Sequence, residues 1–158
     1  MAPNTDEGGV LTGEEAAGQV RVMARLFGLM FYHFADLLVE KCGEKEGREL
    51  VQEAVRRFGL ERGEKMRKET AAMGLSPVLK NFELVNDLPK VGWVGSTRES
   101  YCPFAEVWIE KGAENLCKLY CDVDVWKMVG YNPKIRVKRL RWVLEGASDC
   151  KYAMEQGD

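Results

Sequence analysis

The sequence has only one histidine, His33, and an odd number of cysteines, five. An odd number of cysteines cannot all pair within one chain, so a complete intrachain disulfide framework is excluded. Reduced thiols and a cytoplasmic location are therefore expected. With one histidine, a Cys-His or Ser-His-Asp arrangement depends on this side chain folding against the second half of the chain.

Motifs for common cofactors are also absent. There is no glycine-rich phosphate loop, no His-Glu-x-x-His motif and no nucleophile elbow. We therefore expect no cofactor. The net charge is −2, and phosphate binding needs a clustered basic surface, so nucleic acid is not an expected partner.

The beginning of the sequence lacks a targeting signal. Residues 1–13 have neither the basic start nor the apolar run of a signal peptide, and we expect them to form a flexible tail. The most apolar stretch, residues 26–39, is bounded by charges and interrupted by Asp36. A membrane span needs about 20 apolar residues, so no membrane partner is expected. The remaining residues, 14–158, have a length that fits a single domain.

The first half of the chain has helical spacing of its apolar residues. One helix is predicted from Glu14 to the stop at Gly43, with an apolar face wide enough for a central position. His33 lies on that face and is expected to point inward. A second helix should run to about residue 58, where Gly59 interrupts, and a third over residues 60–73, with charges typical of a solvated face.

The second half changes to shorter elements. Short strand pieces are predicted at residues 91–94 and 98–101. One helix is predicted from Pro103 to about residue 110, and another from Ala113 to about residue 124. The predicted C-terminal strands are residues 135–144 and 150–154. Helices first and strands later indicate an α+β fold. In that fold an N-terminal helical half packs on a small antiparallel sheet with C-terminal helices and strands.

Cys102 is the first candidate nucleophile. It directly precedes Pro103 at a predicted helix start, where unpaired N–H groups and the helix dipole stabilise a thiolate. Its pKa is therefore expected to be lowered; the alternative is a buried core cysteine. Cys121 is the second candidate, toward the end of a helix, where the dipole and the following aspartates disfavour a thiolate.

Asp124 is the candidate proton donor. Val123, Val125 and Trp126 surround it with apolar groups, which predicts a raised pKa. Asp122 diverges from it on a helix and is expected to be solvated.

Arg139 is unusual for a strand residue. Strict alternation places it with Ile135 and Val137 on one face, unless a bulge at residues 138–139 shifts the register. An inward guanidinium would anchor a substrate carboxylate. The predicted substrate-binding residues are Arg139, His33 and Trp126.

The cysteines also allow a metal hypothesis. Cys117 and Cys121 are four apart on a predicted helix and would share one face. With Cys102 and Cys150 they would make a four-thiolate site. Zinc sites usually contain two close ligand pairs, and only one is present here, so we expect no metal. If a metal does bind, these four thiols are the predicted ligands.

Two groups of short motifs carry a family resemblance. The second half contains Cys102-Pro103-x-Ala105-Glu106, Cys121-x2-Asp124, Arg139 and Gly146-x3-Cys150, and the first half contains Cys42-Gly43-Glu44, Glu49-Leu50, Phe58-Gly59 and Arg62-Gly63-Glu64. Over about residues 20–155, this pattern resembles the L-2-amino-thiazoline-4-carboxylic acid hydrolase family. The resemblance implies hydrolytic opening of a cyclic isothiourea to N-carbamoyl-cysteine, by a hydrolase acting on a C–N bond.

Some positions depart from that pattern. Lys151 and Tyr152 follow the last cysteine where an aspartate and an aromatic residue are expected, and Ala147 stands where an acidic residue is expected. The C-terminal half also resembles, more distantly, the 4-vinyl-reductase-like small-molecule-binding domains. Trp142 and Arg139 fall near the expected positions of zinc ligands in those domains, so that zinc site is not intact.

The predicted activity combines these residues. Cys102 or Cys121 attacks the amidine carbon, Asp124 moves the proton, Arg139 holds the carboxylate, and water releases the adduct. The alternative is a non-catalytic small-molecule-binding or sensor domain with the same cavity. A small molecule is the expected partner, and a homo-oligomer is left open.

Overall fold

The computed structural model describes residues 10–85, 87–89, 91–93 and 102–157. The helices and strands are α1 (Gly13–Cys42), α2 (Glu44–Ala72), α3 (Pro103–Glu110), α4 (Glu114–Cys117), α5 (Val123–Tyr131), β1 (Ile135–Arg141) and β2 (Lys151–Gln156), with 3₁₀ helices at Leu79–Leu84, Lys118–Asp122 and Val143–Glu145. A helical half followed by a small antiparallel sheet confirms the predicted α+β class. Of the strand pieces predicted between α2 and α3, residues 91–93 form bends, and residues 94 and 98–101 lie outside the described residues.

Both ends of α1 follow from local sequence. The Thr12 side chain accepts the Glu15 N–H, and the Glu15 carboxylate accepts the Thr12 N–H at 2.8 Å, which forms a capping box. Gly43 has φ of 84°, a conformation that favours glycine, and α2 begins at the next residue. The predicted stop at Gly43 is confirmed.

The inner face of α1 is made of small residues. Its buried positions are Ala17, Ala24, Gly28 and Ala35, and the Trp108 indole of α3 donates to the Gly28 carbonyl at 2.9 Å. Several large apolar side chains of α1 are instead exposed: Val22, Met23, Leu26, Met30, Phe34 and Leu37. His33 is exposed, so the prediction that it points inward is wrong. The small residues allow the close helix contacts, and they determine which face is buried.

The length of α1 bears on the membrane prediction. Within the described part of the chain, α1 is the one helix long and apolar enough to cross a membrane, and 17% of its most apolar window is buried. The helix has 30 residues, which is more than the run of residues 26–39 on which the prediction was based. The absence of a membrane partner therefore stays a prediction.

Helix α2 runs unbroken through Gly59, so the predicted interruption there is wrong. A Cβ on Gly59 would lie 2.6 Å from the Trp126 Cβ of α5, and one on Gly63 would lie 2.0 Å from the Lys127 carbonyl oxygen. On the α5 side, a Cβ on Gly130 would lie 2.4 Å from a backbone oxygen of α2. The glycines let the two helices touch backbone to backbone, which offsets their helix-propensity cost of about 1 kcal/mol each.

The segment after α3 is less regular than predicted. Helix α3 spans Pro103–Glu110 as expected, with Cys102 as its N-cap. The single helix predicted for residues 113–124 is instead α4, a 3₁₀ helix and α5, and α5 continues to Tyr131. The tighter 3₁₀ turns change which side chains share a face.

The sheet places Arg139 on its inner side. Strands β1 and β2 pair antiparallel, with Arg139 opposite Tyr152, and the register shifts between Arg139 and Arg141. Ile135 is buried and Val137 and Arg139 are half-buried, while the residues between them are exposed. The predicted alternation is confirmed, and the irregularity comes at the residue after Arg139. Strand β1 ends earlier than predicted because residues 143–145 form a 3₁₀ turn.

Candidate functional site

A cavity of about 280 Å³ brings several candidate residues together. Its apolar and aromatic wall is formed by Leu88, Trp93, Phe104, Trp108, Tyr120, Val123, Val143 and Tyr152, and its other groups are Arg62, Cys102, Cys121, Asp124 and Cys150. An apolar concavity with a few polar groups is typical of small-molecule sites. Three predicted residues, Cys102, Cys121 and Asp124, share this cavity although they come from three different elements.

Cys102 occupies the predicted helix N-terminus. Its sulfur accepts the Ala105 N–H at 3.5 Å, and Pro103 fills the first helical position. Burial nevertheless raises the pKa of the Cys102 thiol to about 11, because its apolar surroundings outweigh the backbone N–H that favours the thiolate. The prediction of a lowered pKa is wrong. At neutral pH, Cys102 is therefore a thiol and not a thiolate.

Cys121 and Cys150 are the other thiols of the cavity. Burial raises the pKa of Cys121 to about 12. The Cys150 sulfur accepts the Val143 N–H at 3.5 Å, which fixes it at the 3₁₀ turn between the strands. The Cys150 sulfur is close enough to Cys102 and Cys121 to oppose the ionisation of both thiols and so raise their pKa values.

Cys117 does not join these thiols. It is completely buried in the main apolar core, and burial raises its pKa to about 12. Residues 118–122 form a 3₁₀ helix with three residues per turn, so a spacing of four rotates a side chain by about 120°. The prediction that Cys117 and Cys121 share a face is therefore wrong. Within the described ranges, no group of three or more His, Cys, Asp or Glu side chains is arranged to hold a metal ion.

Asp124 belongs to a chain of alternating charges at the cavity. Its Oδ1 lies 3.3 Å from Lys127 Nζ, and the same Nζ lies 3.8 Å from Asp87 Oδ1. Arg62 Nε donates to Asp87 Oδ2 at 2.5 Å. Asp124 is thus paired with an ammonium group besides its apolar neighbours.

The centre of this chain is Asp87. Burial opposes its ionisation, but the Arg62 guanidinium and the Lys127 ammonium outweigh burial and hold the pKa of Asp87 below its ordinary value. Both cations are themselves largely buried, with side chains 13% and 11% exposed. The arrangement fixes the position of Arg62 relative to α5.

Arg139 does not line the cavity. Its Nη2 donates to Asp122 Oδ1 at 3.0 Å, and its guanidinium lies 3.6 Å from the Trp142 ring centroid and 5.6 Å from that of Tyr152. The side chain is partly buried, as predicted, but it lies beside the Tyr152 ring, which lines the cavity, and not in the cavity itself. Its position does not support the predicted role of carboxylate anchor.

Trp126 and His33 also lie away from the cavity. Side chains two positions apart on a helix point in directions that differ by about 200°, so Trp126 points away from Asp124. It lines a separate surface depression, and its ring centroid lies 6.0 Å from the Arg56 guanidinium carbon. His33 is exposed on α1 and packs beside Tyr32. Neither position suits the predicted contact with a ligand in this cavity.

Arg62 is the functional candidate that the sequence pattern missed. The alternating charges of residues 61–69 assigned it to a solvated face, yet its side chain is 13% exposed and lines the cavity. The neighbouring glycines were the available signal. They mark the side of α2 that α5 crosses, and Arg62 lies between them at the edge of this contact.

Thiol alkylation tests the environments of the cysteines. Cys42 is exposed, so we expect iodoacetamide to modify it first. Because burial raises the pKa of Cys102 to about 11 and of Cys121 to about 12, their labelling should accelerate with pH up to those values. Below pH 11, Cys102 should label about ten times faster than Cys121, since one pKa unit is a tenfold difference in thiolate. Peptide mapping over time measures the order, and faster labelling of Cys121 would contradict it.

Comparison with known proteins decides the family. The family model described as L-2-amino-thiazoline-4-carboxylic acid hydrolase matches residues 21–154, which is more than four fifths of the chain. The chain belongs to this family. The matched range includes every residue of the cavity, so the L-2-amino-thiazoline-4-carboxylic acid hydrolase match covers the whole candidate site. No curated protein and no solved structure gives a significant match.

Proposed function

We propose that this protein opens a small cyclic amidine or isothiourea that carries a carboxylate, such as L-2-amino-thiazoline-4-carboxylate, with Cys102 as the nucleophile. The family match supports hydrolysis of this compound class. The observation that carries the proposal is the shared cavity, where a thiol at a helix N-terminus and the Asp124 carboxylate face the same small volume. Cys102 is favoured over Cys121 because its pKa is raised less and a backbone N–H contacts its sulfur.

The first half of the reaction forms a covalent adduct. The Cys102 thiol gives its proton to Asp124, and the sulfur attacks the amidine carbon. The amidine enters protonated, so the C=N electron pair moves to a ring nitrogen that already bears a hydrogen. The ring carbon–sulfur bond then breaks, and its electrons leave on the substrate sulfur, which takes the proton from Asp124. The amidine carbon, with both nitrogens, stays on Cys102 as an isothiourea.

The second half consumes one water molecule. Water adds to the same carbon, Asp124 accepts a proton from it, and the Cys102 sulfur leaves with its electron pair and regains a proton. The product is a urea, N-carbamoyl-cysteine for the named substrate. Attack therefore occurs at the C=N bond, while the ring opens at its carbon–sulfur bond. A thiol suits this chemistry because its thiolate is a strong nucleophile toward the amidine carbon and can leave again when water adds to the same carbon.

The substrate itself compensates for the raised pKa of Cys102. An amidine is protonated at neutral pH and brings a positive charge into the cavity beside the thiol. A nearby opposite charge favours the thiolate, and it does so more strongly in apolar surroundings than in water. The cavity thus keeps the thiol protonated when empty and favours its ionisation when substrate binds.

The proposal is tested by release of a thiol. Purified protein incubated with L-2-amino-thiazoline-4-carboxylate should produce one new thiol per molecule consumed, together with N-carbamoyl-cysteine, measured by a thiol reagent and mass spectrometry. Saturable binding of the compound without release of a thiol would contradict hydrolysis. That result would favour the non-catalytic binding domain instead.

A further inference from the structure

Two hydrogen-bond donors in the cavity wall have no acceptor among the described residues. Arg62 Nη2 and Trp93 Nε1 are buried and make no hydrogen bond within the part of the chain that the structure describes. Both residues line the cavity. Guanidinium and indole nitrogens can only donate, so they need an acceptor, and a buried donor without one is costly. In the described ranges, the other buried donors without a hydrogen bond belong to Arg139 and Trp142, which do not line the cavity.

The Arg62 guanidinium is held in place before any ligand binds. Its Nε donates to Asp87, and its guanidinium carbon lies 5.3 Å from the Phe58 ring centroid. Helix α2 packs closely against the backbone of α5 at Gly59 and Gly63, on either side of Arg62. Its Nη2 is thus a positioned, charged donor in apolar surroundings. Such donors bind carboxylates more strongly than neutral donors do.

The charges around the cavity specify what ligand would complete it. Arg62, Asp87, Lys127 and Asp124 form an alternating chain with no net charge. A ligand with one cationic and one anionic end keeps the site neutral, and burial of an unpaired charge is avoided. Asp124 offers a partner to the cationic end, and Arg62 offers one to the anionic end.

We infer that Arg62 and Trp93 form an anion subsite that holds the carboxylate of the substrate, with its two oxygens accepting from Nη2 and Nε1. The inference rests on the proposed function and assigns it a substrate class: small amidine carboxylates with an apolar ring between their charged ends. Arg62 takes the anchoring role that the sequence pattern gave to Arg139.

The test measures the binding of three probes, and the fluorescence of the cavity tryptophans reports the binding. The probes are L-2-amino-thiazoline-4-carboxylate, 2-amino-thiazoline without the carboxylate, and thiazolidine-4-carboxylate without the amidine. Arg62→Met should weaken both carboxylates by about 100-fold and leave 2-amino-thiazoline unchanged, since one charge-assisted hydrogen bond is lost. Trp93→Phe keeps the ring and removes the N–H, and it should weaken only the carboxylates, by about tenfold.

Two comparisons guard against a folding artefact. Arg56→Met removes a guanidinium from the same helix outside the cavity and should leave all affinities unchanged. Arg62→Lys keeps the charge beside Asp87 and should recover part of the carboxylate affinity. If Arg62→Met does not fold, Trp93→Phe and Arg62→Lys decide the question.

The outcomes separate this inference from the proposed function. Carboxylate binding that depends on Arg62, without turnover, supports the anion subsite and contradicts hydrolysis. Turnover of L-2-amino-thiazoline-4-carboxylate with a KM unaffected by Arg62→Met and Trp93→Phe supports hydrolysis and overturns the subsite. The subsite is also overturned if Arg62→Met weakens the binding of 2-amino-thiazoline as much as that of the carboxylates, or if neither carboxylate binds the unaltered protein.

Discussion

Replacement of Cys102 by alanine is expected to lower kcat/KM for L-2-amino-thiazoline-4-carboxylate by at least about a thousandfold, as for the loss of a nucleophile in other enzymes. Without the sulfur, no covalent adduct forms, and Asp124 has no thiol from which to accept a proton. Substrate affinity should change much less, because the carboxylate and the amidine contact other groups. Steady-state thiol release and direct binding measurements separate the two effects.

The other cysteines provide the controls for this substitution. Cys42→Ser alters an exposed thiol far from the cavity and should retain full activity. Cys121→Ala removes a wall group with a higher pKa and should retain measurable turnover. If Cys102→Ala turns over normally while Cys121→Ala does not, the nucleophile is Cys121.

Replacement of Gly63 by alanine is expected to lower the free energy of unfolding by about 3 kcal/mol, at the upper end of the usual cost of overpacking. The new Cβ would lie 2.0 Å from the Lys127 carbonyl oxygen and 2.6 Å from the Tyr131 nitrogen. Both are backbone atoms, so α2 and α5 must separate. Urea unfolding measures the loss.

Gly18→Ala is the matched comparison within a helix. A Cβ there meets nothing within 4 Å, and the position lies in α1. Alanine should therefore stabilise the protein by about 0.5–1 kcal/mol through helix propensity. Similar effects at Gly18 and Gly63 would contradict the close contact between α2 and α5.

Elements with strong local signals were predictable from the sequence. The capping residues and Gly43 define α1, Pro103 defines the start of α3, and alternation along β1 places Arg139 inward. Gly59 predicts a helix break, but glycine suits both a helix break and a close crossing of two helices. Only the position of α5 distinguishes the two, and this is not a local property.

The site was predictable in part. The cysteine and aspartate motifs indicated Cys102, Cys121 and Asp124, which do share the cavity. The pKa of Cys102 was not predictable, because burial depends on Phe104, Trp108 and Tyr120 packing around it.

The misassigned residues of the site share one cause. Alternating charge predicts a solvated Arg62 and apolar periodicity predicts a buried His33, but neither pattern shows which neighbouring element covers a helix face. The small residues of α1 and the glycines of α2 decide which faces are buried.

The most direct measurement is mass spectrometry of the protein quenched during turnover of L-2-amino-thiazoline-4-carboxylate. Attack by Cys102 opens the ring without loss of atoms, so the chain should gain the mass of one intact substrate molecule, located by proteolysis on the peptide that contains Cys102. The adduct should be absent from Cys102→Ala. Continued turnover without an adduct, or with the adduct on Cys121 or Cys150, would contradict Cys102 as the nucleophile.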